Sequence, residues 1–145
     1  LQCCRLEGQR IRALTPLAFP RTADAPLSND WCFLDVPMPC ALPTPAARLR
    51  AAHATFDPMK NGPEPAIAKF FTDQNCNSPG FLFGKTAQQV MQRYSLVFSN
   101  VPGPPAPVFV GGRRLLGVHA LYPNLIMQHL CVSYNGTMYM NFVVD

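Results

Sequence analysis

The stretch that most constrains this chain is Ser99-Asn100-Val101-Pro102-Gly103-Pro104-Pro105-Ala106-Pro107-Val108, directly after the strand-like apolar run 96–98. Each proline fixes its own φ and pushes the residue before it towards extended backbone, whereas Gly103 is free to take φ > 0. Such a segment can continue neither as a helix nor as a central strand. It reads as a stiff turn leaving a strand, holding the polar pair Ser99 and Asn100 in a fixed place. On composition alone it is a rigid surface turn; its specific order of residues says more.

With 145 residues the chain is one domain's worth, long enough to bury a core. Hydrophobic residues at 48% against 14% charged exclude a disordered chain. So lean a charge content fits a piece whose surface is partly covered by something else. The net charge of +4 is scattered, with local pairs at Arg48/Arg50 and Arg113/Arg114. No basic stripe is interleaved with aromatics, which argues against nucleic acid; weak attraction to an anionic membrane or a phosphate-bearing ligand stays open.

Six cysteines (Cys3, Cys4, Cys32, Cys40, Cys76, Cys131) form no C-x-x-C, and no histidine stands at zinc-finger spacing. Their even number permits disulfides, yet Cys32 and Cys131 lie inside apolar runs, where a free thiol behaves as a small hydrophobe. Reduced thiols and an intracellular setting are expected. Asn135-Gly136-Thr137 is a formal glycosylation sequon sitting where a tight hairpin turn is wanted, and the turn is the better reading. No apolar run approaches the ~20 residues needed to span a bilayer. The sequence begins at Leu1 and stops at Asp145 right after a strand-like run, as a fragment cut at both ends would.

Along the chain the pattern is mixed α/β. Residues 11–19 read as a short strand broken at Pro16 and Pro20, 21–30 as a linker, and 31–36 as a strand buried on both faces. Thr44-Pro45 is a helix start, with Leu49, Ala52 and Phe56 on the inner face and Arg48 and Arg50 turned away; Pro58 ends or kinks that helix before Asn61-Gly62. A second helix opens at Pro63 and runs through Ile67, Phe70 and Phe71, residues 73–80 form a loop, and a third helix covers about 86–94. Strands 108–110 and 115–118 flank a Gly-led hairpin turn at 111–114. Strands 125–134 and 137–144 flank Asn135-Gly136, with Met138, Met140 and Phe142 on one face and Tyr139, Asn141 and Val143 on the other.

Candidates for chemistry are few. His53 and Asp57 stand four apart on one helix face, where a carboxylate can orient an imidazole as general base, but a surface helix pair does the same. With Pro58 directly behind and no preceding His, this pair is set aside as structural. His119 and His129 are isolated and read as packing or solvated side chains. No Gly-x-Ser-x-Gly elbow, phosphate loop or carboxylate pair occurs, so the chain carries no complete active site.

Taken in order, the motifs resemble the C-terminal domain of the wax ester synthase/diacylglycerol acyltransferase family. The Ser99 to Pro104 string resembles the family's Ser-Asn-Val-Pro-Gly-Pro signature, and weaker matches follow the family's order. These are Arg12 to Arg21, Asn29 with Phe33 to Pro39, Pro45 with Arg48-Leu49 and Lys60, Pro107, Gly111 or Gly112, Tyr122-Pro123, Ser133 to Gly136 and Asp145. Residues 61–94 are short and depart from the family.

The resemblance implies one half of a chloramphenicol acetyltransferase-like, coenzyme A-dependent acyltransferase fold, an α+β mixed sheet with helices packed on it. In such a family two similar halves enclose a tunnel. The N-terminal half carries His-His-x-x-x-Asp-Gly, whose second His deprotonates a fatty alcohol or diacylglycerol for attack on the acyl-CoA thioester. The products are a wax ester or triacylglycerol and free CoA. No such motif lies between Leu1 and Asp145, so the implied catalytic residues are outside this chain and the chain alone is expected to be inactive. The implied partners are acyl-CoA as co-substrate with no bound cofactor, the lipid acceptor, and the N-terminal half of the same enzyme. A peripheral place on a membrane, endoplasmic reticulum or lipid-body surface is also implied. Ser99 and Asn100 become candidates for the tunnel wall or the oxyanion side. Met127, Met138 and Phe142 are open to two readings, lipid path or core, with core packing preferred. Two other classes remain alternatives: a stand-alone lipid- or CoA-binding module, and a small secreted domain stapled by disulfides.

Overall fold

The computed structural model describes residues 10–22, 24–77, 79, 88–121 and 125–144. The start of the third helix, Tyr122-Pro123, Cys3, Cys4 and Asp145 therefore lie outside the described residues. The described elements are β1 (Ile11–Ala18), β2 (Trp31–Met38), α1 (Pro45–Asn61), α2 (Glu64–Cys76), β3 (Leu96–Pro102), β4 (Phe109–Val110), β5 (Arg113–Arg114), β6 (Gln128–Tyr134) and β7 (Thr137–Val143). Five strands form a mixed sheet in the order β2-β1-β3-β6-β7, antiparallel at both edges and parallel at β1/β3 and β3/β6. The expected fold class is found: a mixed sheet with helices packed on it.

Period-2 alternation and the register decide which side chains share a face. One face carries Cys32, Leu34 and Val36 of β2, then Phe98 and Asn100 of β3, His129, Cys131 and Ser133 of β6, and Met138, Met140 and Phe142 of β7. Helices α1 and α2 cover only its β2 end, where Phe56, Met59 and Ala68 pack on Cys32, Leu34 and Val36. The other face carries Leu14, Val97, Ser99, Gln128, Leu130, Val132, Tyr134 and Asn141.

Burial on both faces falls to β6, not to β2 as expected. Leu130, Cys131, Val132 and Tyr134 are all buried, whereas in β2 burial alternates and Trp31 and Phe33 stay half-buried, meeting edge to face at 4.7 Å. The reason is cover: the chain held by Tyr134 through Val108 and Leu115 lies over the face of Leu130, Val132 and Tyr134, while on the opposite face the small Cys131 sits between larger neighbours. Nor does β1 break at Pro16. It pairs with β3 only at Ala13 and Leu14, so a residue without an N–H is tolerated beyond that point, where the ladder is with β2 alone.

Helix α1 starts as its sequence demands, with the Thr44 hydroxyl accepting from the Ala47 N–H at 3.1 Å and Pro45 at the first position. Pro58 does not end it; the helix runs to Asn61, and Gly62 closes it by donating to the Pro58 carbonyl at 2.7 Å. Its inner face carries Ala52 and Phe56 as expected and departs from the expectation at residues 48 and 49. Leu49 is 72% exposed, and Arg48 turns inward to donate to the Leu42 carbonyl at 3.0 Å. The inward stripe runs through Ala47, Ala51, Ala52 and Thr55 to Phe56 and Met59, and the last two pack on β2. Helix α2 continues through 73–76, where a loop was expected, and turns Ile67, Phe70 and Phe71 outward.

Lys69 anchors α2 through Asp30 at 3.0 Å and Asp73 at 2.6 Å, and the hydrogen bonds its ammonium donates to these carboxylates, Asp73 foremost, raise its pKa above the usual lysine range. A group raised on folding stabilises fully below its unfolded pKa of ~10.4 and loses that contribution as pH climbs through the raised value. Lys69→Met is therefore expected to have a lower urea midpoint than the parent at pH 7, with the two midpoints converging above pH ~10.4. A gap independent of pH would refute this account.

Candidate functional site

The signature segment is strand for longer than its prolines suggest. β3 continues to Pro102, so Ser99 and Asn100 lie within it and, as neighbours, on opposite faces. Ser99 sits beside Leu130 and is 8% exposed; Asn100 sits beside Cys131 and is exposed. The chain after Pro102 then crosses the Ser99 face. Tyr134 pins it, its hydroxyl accepting from the Val108 N–H at 3.0 Å and donating to the Leu115 carbonyl at 2.9 Å. The Tyr139 hydroxyl donates to the Leu116 carbonyl at 3.0 Å, and His119 Nδ1 lies 2.9 Å from Asn141 Oδ1.

Gly103 serves a purpose other than the expected left-handed backbone. Positive φ among the described glycines belongs to Gly111, Gly112 and Gly136. At Gly103 the demand is space: its N–H donates to Ser133 Oγ at 3.1 Å, and a Cβ there would stand 2.1 Å from the Ser133 carbonyl oxygen. The two-residue turns are as the sequence predicts at Asn135-Gly136, with φ of 47° and 76°. In the first hairpin the turn is Gly111-Gly112 alone, so Arg113 and Arg114 form the returning strand and 115–121 is irregular.

The face bearing Asn100 is open and apolar. Met138, Met140 and Phe142 are 52%, 53% and 66% exposed, which corrects the preference for core packing. They stay exposed because α1 and α2 stop over β2. In register, Asn100 is flanked by Cys131 and Met140, Phe98 by His129 and Phe142, and Pro102 by Ser133 and Met138. The His129 ring stacks on Phe142 at 4.2 Å and meets Phe98 edge-on at 5.4 Å. Cys131 Sγ lies 3.5 Å from His129 Nε2, and burial pushes the thiol pKa up, which disfavours the nucleophilic thiolate. Burial likewise raises Cys32, against the pull of Lys69, and Cys32, Cys40 and Cys131 are free thiols.

His53 and Asp57 form the surface helix pair expected of them, 3.0 Å apart and exposed. Sequence reasoning missed Gln128. It is buried on the Ser99 face with neither amide atom hydrogen-bonded, and Asn141 Nδ2 on the same face is also unsatisfied. A glutamine in the run 125–132, apolar apart from Gln128 and the adjacent His129, was the available signal. Among the described residues no group of three His, Cys, Asp or Glu could hold a metal, and no helix is long and apolar enough to cross a membrane.

Comparison with solved structures places this geometry. The wax ester synthase/diacylglycerol acyltransferase from Marinobacter aquaeolei VT8 matches with a TM-score of 0.56 at 18% identity, over 95% of this chain and 33% of that one. The fold is thus part of a coenzyme A-dependent acyltransferase fold, and the chain spans about a third of the length of that relative. No curated protein matches the chain. Four of the five sheet strands (β2, β3, β6 and β7), the Ser99 to Pro104 segment and its close packing on β6 lie within residues 27–145, the part that matches the WS/DGAT C-terminal domain; the chain belongs to that family.

Proposed function

We propose that this chain is the C-terminal part of an O-acyltransferase that moves a fatty acyl group from acyl-CoA to a fatty alcohol or diacylglycerol. One observation carries the reading. Asn100, in the stretch that bears the family resemblance, is the exposed amide on a face otherwise built of Met138, Met140, Phe142 and the His129 ring. An apolar wall suits an acyl chain. A single amide held on a strand suits a hydrogen bond to the thioester carbonyl or to its developing oxyanion. The acid–base step is assigned to a His-His-x-x-x-Asp-Gly motif in the N-terminal half of the same enzyme. Ser99 is reassigned on this reading: buried under the crossing segment, it supports the strand and does not touch substrate.

The test is acyl transfer from palmitoyl-CoA to hexadecanol or dioleoylglycerol by the enzyme containing this chain. Asn100→Ala is expected to lower turnover about tenfold, the loss of one aligned donor. Ser99→Ala is expected to lower the melting temperature with turnover per folded molecule unchanged. Equal turnover of the Asn100→Ala variant and parent at equal protein level would sink the role given to Asn100. Upstream coding sequence supplies the independent check: a start codon just ahead of Leu1 with no His-His-x-x-x-Asp-Gly would leave a binding module instead of an enzyme.

A further inference from the structure

Where β1 begins and β2 ends, the surface sinks into an open depression of about 690 Å³ that the acyl-transfer reading does not use. Arg10 and Arg12 line one side, and Ile11, Met38 and Leu42 contribute apolar surface. A third guanidinium reaches the rim, because Arg48 donates to the carbonyl of Leu42 at 3.0 Å. This is the arginine that sequence periodicity had turned to solvent. The acidic residue lining the depression is Asp35, which pairs with Arg12 through Nε at 3.0 Å and through Nη2. That pairing holds the guanidinium in place, with its carbon 5.7 Å from the Tyr94 ring centre, and leaves the Nη1 hydrogens untouched by Asp35. Arg10 is exposed.

We infer that this depression binds a phosphate group carried on a larger body. Among the lining residues Arg10 and Arg12 outnumber Asp35, with Arg48 bonded to Leu42 at the edge, so the depression is left with positive charge, and planar guanidinium donors suit the oxygens of a phosphate better than a spherical halide. The apolar side at Ile11, Met38 and Leu42 suits whatever the phosphate is attached to. Two sources share that chemistry: the nucleotide end of acyl-CoA and the headgroup of an anionic phospholipid. The nucleotide source rests on the acyltransferase reading above; the headgroup source does not.

Adenosine 3′,5′-bisphosphate, followed by titration calorimetry, and phosphatidylcholine vesicles containing phosphatidic acid, followed by co-sedimentation, are the two probes. At least one is expected to bind the chain, and Arg10→Glu is expected to weaken that binding about tenfold or more. Arg48→Ala should move it in the same direction. Arg113→Glu makes the same charge change on the exposed β5 and is expected to leave binding as it was. Saturable bisphosphate binding with this pattern assigns the nucleotide. Vesicle binding alone with this pattern assigns the headgroup and removes acyl-CoA from the depression, whatever the outcome of the acyl-transfer assay. Silence of both probes, or equal weakening by Arg10→Glu and Arg113→Glu, overturns the site.

Discussion

Gly103→Ala is expected to destabilise the fold by about 3 kcal/mol, lowering the melting temperature by roughly 10 °C. The added methyl carbon would stand 2.1 Å from the backbone carbonyl oxygen of Ser133 and 3.6 Å from Val132 Cγ1. No rotamer relieves a collision between a Cβ and a backbone oxygen; the strands themselves must part. That separation also breaks the bond from the Gly103 N–H to Ser133 Oγ. The affected contact lies where β3 leaves the sheet, next to Pro102 paired with Ser133. Thermal or urea denaturation of the variant measures the effect. Gly111→Asn supplies the contrast: nothing lies within 4 Å of a Cβ there and φ is 56°, a value asparagine tolerates, so a much smaller loss is expected. If Gly103→Ala melted with the parent, the close approach of β3's exit to β6 would be wrong.

Tyr134→Phe is expected to cost about 2 kcal/mol. Only one oxygen is removed, but it joins two backbone groups that belong to the crossing segment. The Val108 N–H loses its acceptor at 3.0 Å and the Leu115 carbonyl its donor at 2.9 Å. Tyr134 is 2% exposed, so water cannot replace the hydroxyl without opening the packing. The Leu115 N–H to Val108 carbonyl bond at 2.9 Å and the Asn135 N–H to Pro104 carbonyl bond at 2.9 Å remain, so the segment should loosen rather than detach. Hydrogen exchange is the discriminating measurement: the Val108 amide is expected to exchange far faster, ahead of amides in the centre of β6. Tyr139→Phe, which frees only the Leu116 carbonyl and at a more exposed site, is expected to cost less than about 1 kcal/mol. Equal effects of the two variants would mean that the segment is held by something other than Tyr134.

The outer stripe of α2, with Ile67, Phe70 and Phe71 exposed, and the open β6–β7 face have one cause. A sheet of five strands presents more apolar surface than two helices resting on one end can cover. Helix α2 spends its small residues, with Lys69 and Thr72, on the inward side. Large apolar side chains on the outside of both layers fit a piece that meets further polypeptide or lipid on those surfaces.

Much of the local structure was legible from neighbouring residues alone. Thr44-Pro45 specifies a helix start through one hydroxyl and one fixed φ, and Asn135-Gly136 a two-residue turn through two positive φ values. The alternation along β7, with Met138, Met140 and Phe142 on one side, follows from the pleat. In α1 the inward Ala52 and Phe56 were legible, but the placement of Arg48 and Leu49 was not: a tertiary bond from Arg48 to the Leu42 carbonyl draws the arginine in and leaves Leu49 exposed. Nor could residues 99–102 reveal that they remain paired, because the partner that keeps them in the sheet, β6, lies thirty positions on: Val101 meets Val132, and Gly103 meets Ser133.

The sequence by itself thus determined the turns, the caps, the strand alternation and the family signature, since each depends on backbone angles and side chains within a few residues. Only the tertiary structure decided that Ser99 is covered while Asn100 is open, that Gly103 is needed for space, and that Arg10 and Arg12 line one depression while Arg48 bonds to Leu42 at its edge. Those outcomes depend on which distant strand lies alongside and how far the helices reach. Steric exclusion and burial act between surfaces that no local stretch of residues contains.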